Sequence, residues 1–155
     1  KDPYKAFKIT VQSLKKNGYI LVGLYNKIGR IRTLARKYMS RIFGTKFLEL
    51  FDPTFKHLKL SAKEKKSWIN DQYFHPIESL HTLDEVLDWF KKNDLEYINS
   101  IPSCDFEYFE NYENVFEKKA KGDIHSRLFN QFLMIFNKLG SDGGLFVVIG
   151  KKKWM

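Results

Sequence analysis

One cysteine, Cys104, is all the chain has. That excludes an internal disulfide framework and a cysteine-based zinc site, and an intracellular, reducing compartment is expected, the cytoplasm in particular. No apolar run approaches the roughly 18 residues of a membrane-spanning helix. A charged–apolar–small leader pattern is missing from the start; the chain opens on Lys1-Asp2-Pro3, already in a helix pattern, as a piece cut from a longer protein would. A G-x-G pattern occurs nowhere, and there are no internal repeats or low-complexity segments. Acidic residues are also missing over one long stretch: Lys27, Arg30, Arg32, Arg36, Lys37, Arg41 and Lys46 arrive before the first acid, Glu49.

What is present reads as one globular domain. The 155 residues are 43% hydrophobic and 16% aromatic, enough to build a core. The net charge is +9, and it has two readings. A basic protein can bind nucleic acid, an anionic membrane or an anionic substrate. Alternatively, abundant Lys, Asn, Ile and Phe reflect AT-rich coding sequence and carry no function.

Along the chain, Asp2 is a natural N-cap and Pro3 suits the first helical position. With Phe7, Val11 and Leu14 on one face, a helix is expected over 3–16, closed by Asn17-Gly18. "YILVGLYN" (19–26) is a near-continuous apolar run, the pattern of a strand buried on both faces. The basic stretch that follows, with Leu34, Tyr38, Ile42 and Phe43 as an apolar stripe, predicts an amphipathic helix reaching "FLELFDP", where Pro53 breaks it. Ser61 and Glu64 form a capping box for a short helix. "DQYFHPIESLH" (71–81) reads as a loop, and Thr82-Leu83-Asp84-Glu85 as a second capping box opening a helix to about Asn93. A strand over 95–102, a mixed polar and aromatic loop over 103–122, a helix over 124–139 and a final buried strand "LFVVIG" complete the order. The helix over 124–139 is read from Ile124, Leu128, Phe132, Ile135 and Leu139.

These pieces resemble the second half of a class I S-adenosylmethionine-dependent methyltransferase. "DPYKAFKITVQSLKKNGYILVGLYNKIGR" is similar to the helix, Gly-containing turn and fifth strand of that family. "HTLDEVLDWFKKNDLEYINSIP" is similar to the next helix and sixth strand, and "SDGGLFVVIGKK" to the seventh. The resemblance implies an α/β fold, a partial Rossmann-like sheet with the last strand antiparallel between the other two, and helices against it. A helical insertion over 27–81 lies inside the single C-terminal portion, 1–155. It also implies methyl transfer from S-adenosyl-L-methionine to an unknown acceptor. The family holds that cofactor with a Gly-rich loop and an acid, whose logic is that of the dinucleotide fingerprint. Neither motif is found here, so the chain resembles a C-terminal half, inactive alone, whose partner is the N-terminal half of the same domain. The edge of the 19–26 strand would then lie open.

In open α/β sheets the site lies beyond the carboxyl ends of the strands. That nominates Tyr25 and Asn26 for acceptor binding, against a turn role for Asn26 and packing for Tyr25. Tyr73, His75 and His81 are candidates for acceptor contact or proton removal, since imidazole is easily tuned near neutral pH. A metal site is disfavoured, because H-x5-H with Pro76 inside fits neither one helical face nor a zinc finger. Asp84 and Glu85 are assigned to capping and the helix dipole. Arg30, Arg32, Arg36 and Arg41 could hold phosphates or a carboxylate, or simply line a solvated helix face. A non-catalytic module for RNA or an anionic surface is the competing function. No RNA-binding signature supports it, and Tyr97, Phe106, Tyr108, Phe109 and Tyr112 are assigned to packing.

Overall fold

The structure, a computed structural model, describes residues 2–57, 59–75, 78–104, 115–136 and 144–153. It divides into two compact units, one formed by 1–29 with 79–155 and the other by Arg30–Glu78.

Asp2 starts the first unit. Its carboxylate accepts the Tyr4 and Lys5 amides at 3.0 and 3.2 Å, and helix α1 runs Pro3–Gln12. It ends one turn earlier than the expected Lys16, where Asn17 takes a left-handed φ of 57°. Strand β1 (Tyr19–Asn26) follows. Beyond the second unit the chain returns through strand β2 (Leu80–His81), helix α6 (Leu83–Lys92), strand β3 (Leu95–Ile101), helix α7 (Ile124–Leu133) and strand β4 (Leu145–Lys152). The sheet order is β2-β1-β4-β3. β4 runs antiparallel to both neighbours, with Val148 opposite Val22 on one side and Ser100 on the other. The expected antiparallel insertion of the last strand is therefore present. The two-residue β2 was read as loop; it pairs parallel with the end of β1, Tyr25 opposite Leu80 and Asn26 opposite His81.

Helices α1 and α6 bring Phe7, Val11, Val86, Trp89 and Phe90 onto Ile20, Phe146 and Val148. Phe7 stacks on Phe90 with ring centroids 5.9 Å apart. The expectation that β1 is buried on both faces is corrected: Ile20 is buried, whereas Tyr19 and Leu21 on the opposite face are exposed. Beyond the two pairs with β2, the outer edge of β1 has no strand beside it among the described residues. The predicted helix over 124–139 is α7, and its stripe is inverted. Ile124, Leu128 and Phe132 are exposed while Asn130 and Gln131 are buried. The observed helix ends at Leu133, with Met134 as its C-cap; the predicted continuation over 137–139, the "SDG" of the turn and Phe106, Tyr108, Phe109 and Tyr112 lie outside the described residues.

The second unit holds helices α2 (Ile31–Phe43), α3 (Lys46–Phe51), α4 (Pro53–His57) and α5 (Ala62–Phe74). The single predicted amphipathic helix is thus two, α2 and α3, broken at Gly44, whose φ is 79°; the expected break at Pro53 is present, and α4 starts there. The Ser61–Glu64 capping box forms as read. Helix α5 runs on to Phe74, so Asp71–Phe74 are helical and not loop. Leu48, Ile69 and Tyr73 make a small core with Phe55 against it.

Close packing at Gly150 yields a test. A Cβ there would lie 2.5 Å from Cε2 of the buried Phe90. We expect Gly150→Ala to cost about 1–3 kcal/mol of unfolding free energy in urea denaturation. Adding Phe90→Leu should return part of that loss; strictly additive costs would show that the ring does not limit the site.

Candidate functional site

The carboxyl ends of β1 and β2, the segment after β3 and the approach to β4 converge around Asn26. Its backbone amide donates to Gly144 O at 2.7 Å. Its side chain is fully buried: Oδ1 accepts the Ile28 and Gly29 amides, both at 2.9 Å, and Nδ2 donates to Gln131 Oε1 at 2.8 Å. That is the turn role, tightened by a long-range bond, and both ends of the Asn26 carboxamide are spent on it. Gly29 fits the same crowded corner, since a Cβ would stand 3.0 Å from Met134 Cβ and 3.2 Å from Gly144 Cα. Tyr25 is half-buried beside it.

Gln131 is the residue that sequence reading missed. It is 2% exposed, and its Oε1 accepts from both Asn26 Nδ2 and the Leu83 amide at 2.8 and 2.9 Å, while Nε2 donates to Arg127 O at 3.1 Å. One carboxamide thereby joins α7, the end of β1 and the first turn of α6. Helix α7 is itself held at its start by Asp123, which accepts the Ser126 amide at 2.7 Å. That bond holds the Asp123 carboxyl below the usual carboxylate range. Nothing in the local sequence marks Gln131, which sits among apolar residues in the stripe's register.

His81 ends β2, and its carbonyl accepts the Lys27 amide at 2.9 Å. The ring is buried edge-on to Trp89, centroids 5.1 Å apart. Its Nδ1 lies 3.0 Å from Glu85 Oε1, off the line of a hydrogen bond, and neither ring nitrogen has a hydrogen-bond partner. Glu85 therefore approaches His81 and does not reach back to Thr82, and the expected second capping box is half made: Thr82 Oγ1 accepts the Glu85 amide at 3.2 Å.

The other candidates belong to the second unit. Arg30 is 1% exposed; its Nε and Nη2 both lie 2.7 Å from Glu78 Oε1, and it also donates to Gln72 Oε1 and O at 3.2 and 3.0 Å. Its guanidinium is occupied in tying the first residue of the unit to the last. Tyr73 is 2% exposed, in the unit's core. Its hydroxyl donates to Asp52 Oδ2 at 2.9 Å, and Asp52 also accepts from Trp68 Nε1 and the Thr54 amide. Burial, with Asp52 beside it, pushes the Tyr73 phenol up to about 12, against a smaller opposing pull from Arg36. His75 caps the end of α5 and is exposed, as is Arg32 on α2. Among the described residues no three His, Cys, Asp or Glu side chains come together as metal ligands, and no helix is long and apolar enough to cross a membrane.

No known protein family and no curated protein matches the sequence. Among solved structures, the chain is similar to PKMT2 from Rickettsia typhi. The TM-score is 0.53 at 14% identity, and the likeness covers 95% of this chain and 32% of PKMT2. The chain thus spans about a third of that protein's length. At this identity the likeness is one of fold.

The buried polar groups can be tested one by one. Gln131→Leu leaves two buried donors without an acceptor and should cost about 2–4 kcal/mol of stability in urea denaturation; a cost below about 1 kcal/mol would contradict the clamp. The Tyr73 phenol is neutral in the folded chain beyond its ordinary range near pH 10. Its contribution to stability should be constant below pH 10 and lost as pH rises from there through about 12. Tyrosinate absorbance should show a late-ionising tyrosine that Tyr73→Phe removes; ionisation together with the exposed tyrosines would refute the buried phenol.

Proposed function

We propose that this chain is the C-terminal portion of an S-adenosylmethionine-dependent methyltransferase. The observation that carries the reading is the antiparallel strand β4 between β1 and β3, in the order the methyltransferase resemblance requires. The likeness to PKMT2 adds support at the level of fold. In this reading β1, β3 and β4 stand for the family's fifth, sixth and seventh strands, and Arg30–Glu78 is an insertion after the fifth.

The residues of this chain do not build a cofactor site by themselves, because the Gly-rich loop and its acid are missing from the sequence. The cofactor belongs with an N-terminal half of the domain, for which the open outer edge of β1 and the exposed apolar face of α7 are the docking surfaces. S-adenosylmethionine supplies the methyl group in such an enzyme. The work assigned to this chain is on the acceptor side. Tyr25 lines the rim at the end of β1, and His81, with Glu85 beside it, takes the proton that the acceptor releases. Asn26, Arg30 and Tyr73 support this rim or the second unit from inside, and are no longer assigned to contact with substrate.

The test uses the longer protein that carries this chain together with its upstream residues. It should bind S-adenosylmethionine and transfer radiolabelled methyl, counted separately in protein and RNA fractions, whereas the 155-residue chain alone should not bind the cofactor. His81→Gln should lower incorporation by about a hundredfold, and Glu85→Gln, at a more exposed position, by about tenfold with stability kept. A longer protein that neither binds nor consumes the cofactor would overturn the reading.

A further inference from the structure

Helix α2 is turned the wrong way for a helix packed inside a protein. Its buried residues are the polar Thr33 and Ser40. They lie two turns apart on the side that meets the rest of the second unit. At about 100° per residue the opposite side carries Ile31, Tyr38 and Ile42. These side chains are 49%, 61% and 72% exposed, with Met39 and Phe43 beside them, also exposed. Phe43 stacks on Phe47 (5.9 Å) and Phe47 on Phe51 (4.4 Å), so the apolar face continues onto α3, where Leu50 and Phe51 are exposed as well.

The cations are arranged around this face and not across it. By the same helical spacing Arg32 borders one side and Lys37 and Arg41 the other, while Arg36 turns inward and donates to the Tyr73 hydroxyl at 3.4 Å. Arg41 lies over the Tyr38 ring, 5.5 Å from its centroid. From Lys27 to Leu48 the sequence has no acid, and Glu49 is paired with Lys65 at 3.2 Å. A nucleic-acid surface would place its cations centrally, with flat rings free to stack on bases. Here Ile31, Tyr38 and Ile42 hold the centre, the Tyr38 ring is covered by Arg41 and the Phe rings stack on one another, and the charges form the margin. That is the cross-section of a helix lying in a membrane interface: the apolar face sinks to the acyl boundary, and flanking Lys and Arg reach out to the phosphates.

We infer that the α2–α3 face of the second unit binds the surface of an anionic phospholipid bilayer. This is independent of the methyl-transfer reading. α2 would lie parallel to the membrane with Ile42 and Phe43 inserted, Thr33 and Ser40 facing the protein, and Arg32, Lys37 and Arg41 at headgroup level.

The experiment is co-sedimentation of the 155-residue chain with phosphatidylcholine vesicles, with and without phosphatidylserine as about a third of the lipid. Ile42→Asp, Lys37→Glu/Arg41→Glu and Ile42→Trp variants are compared, and circular dichroism checks that each keeps its helices. The chain should bind the anionic vesicles at least about tenfold more tightly than the neutral ones. Ile42→Asp should abolish binding, and the double charge reversal should weaken it more than about tenfold. The extra indole emission of the Ile42→Trp variant, read against the parent chain, should shift to the blue only when anionic lipid is added. Equal indifference to both vesicles would overturn the inference. So would binding to a short RNA that survives Ile42→Asp, or self-association that Ile42→Asp abolishes in a chain that ignores vesicles.

Discussion

Strand β4 is the constraint on which the first unit depends. It is the last of the described elements and one of the two central strands of the sheet, paired over its length with β1 and β3, which do not pair with each other. Until residues 145–152 are in place, β1 has only the two-residue β2 beside it. α1 and α6 then have no continuous surface to cover. The contacts that close the unit therefore span most of the chain, a topology whose loop-closure entropy must be met before its pairing is gained. The Gly150 backbone against the Phe90 ring shows how tightly that last strand is fitted.

Two helices share an unusual property. α2 and α7 each turn polar side chains inward and leave an apolar face outward. At α7 the inward residues work: Gln131 satisfies three backbone or side-chain groups, and the apolar face is left for another surface to cover. At α2 the inward Ser40 hydroxyl only bonds back to the Lys37 carbonyl at 2.8 Å. The hydrophobic effect thus places these faces at contacts beyond the described residues, and the difference between them is charge. Among the described residues the α7 face has no cationic margin, whereas the α2 face has one on both sides.

Much of the sheet was legible in the sequence because its signals are local. Asp2-Pro3 starts α1, Asn17-Gly18 turns the chain, Ser61 and Glu64 cap α5, and apolar runs mark β1 and β4. The strand order came from the family resemblance, since periodicity says nothing about which strands are neighbours. What was not legible follows from the same physics. The apolar stripes of α2 and α7 were found, but a stripe shows only that one face seeks an apolar partner, not that the partner is in the same unit. β2 is two residues long and carries no period. Of the candidate site, the capping-box reading of Glu85 failed because His81, four residues earlier, competes for the carboxylate. Gln131 was invisible because its three partners lie in remote or folded backbone.

The Arg30–Glu78 pair has a consequence for how such a protein changes over time. It joins the first and last residues of the helical unit, and just outside it Gly29 and Ser79 continue into strands already paired side by side. The second unit has its own core, and its two ends are held together by its own ion pair. A segment built this way can be lengthened, exchanged or removed as a cassette while the sheet keeps its register. Chemistry at the strand ends and attachment through the helices can then diverge separately within one gene.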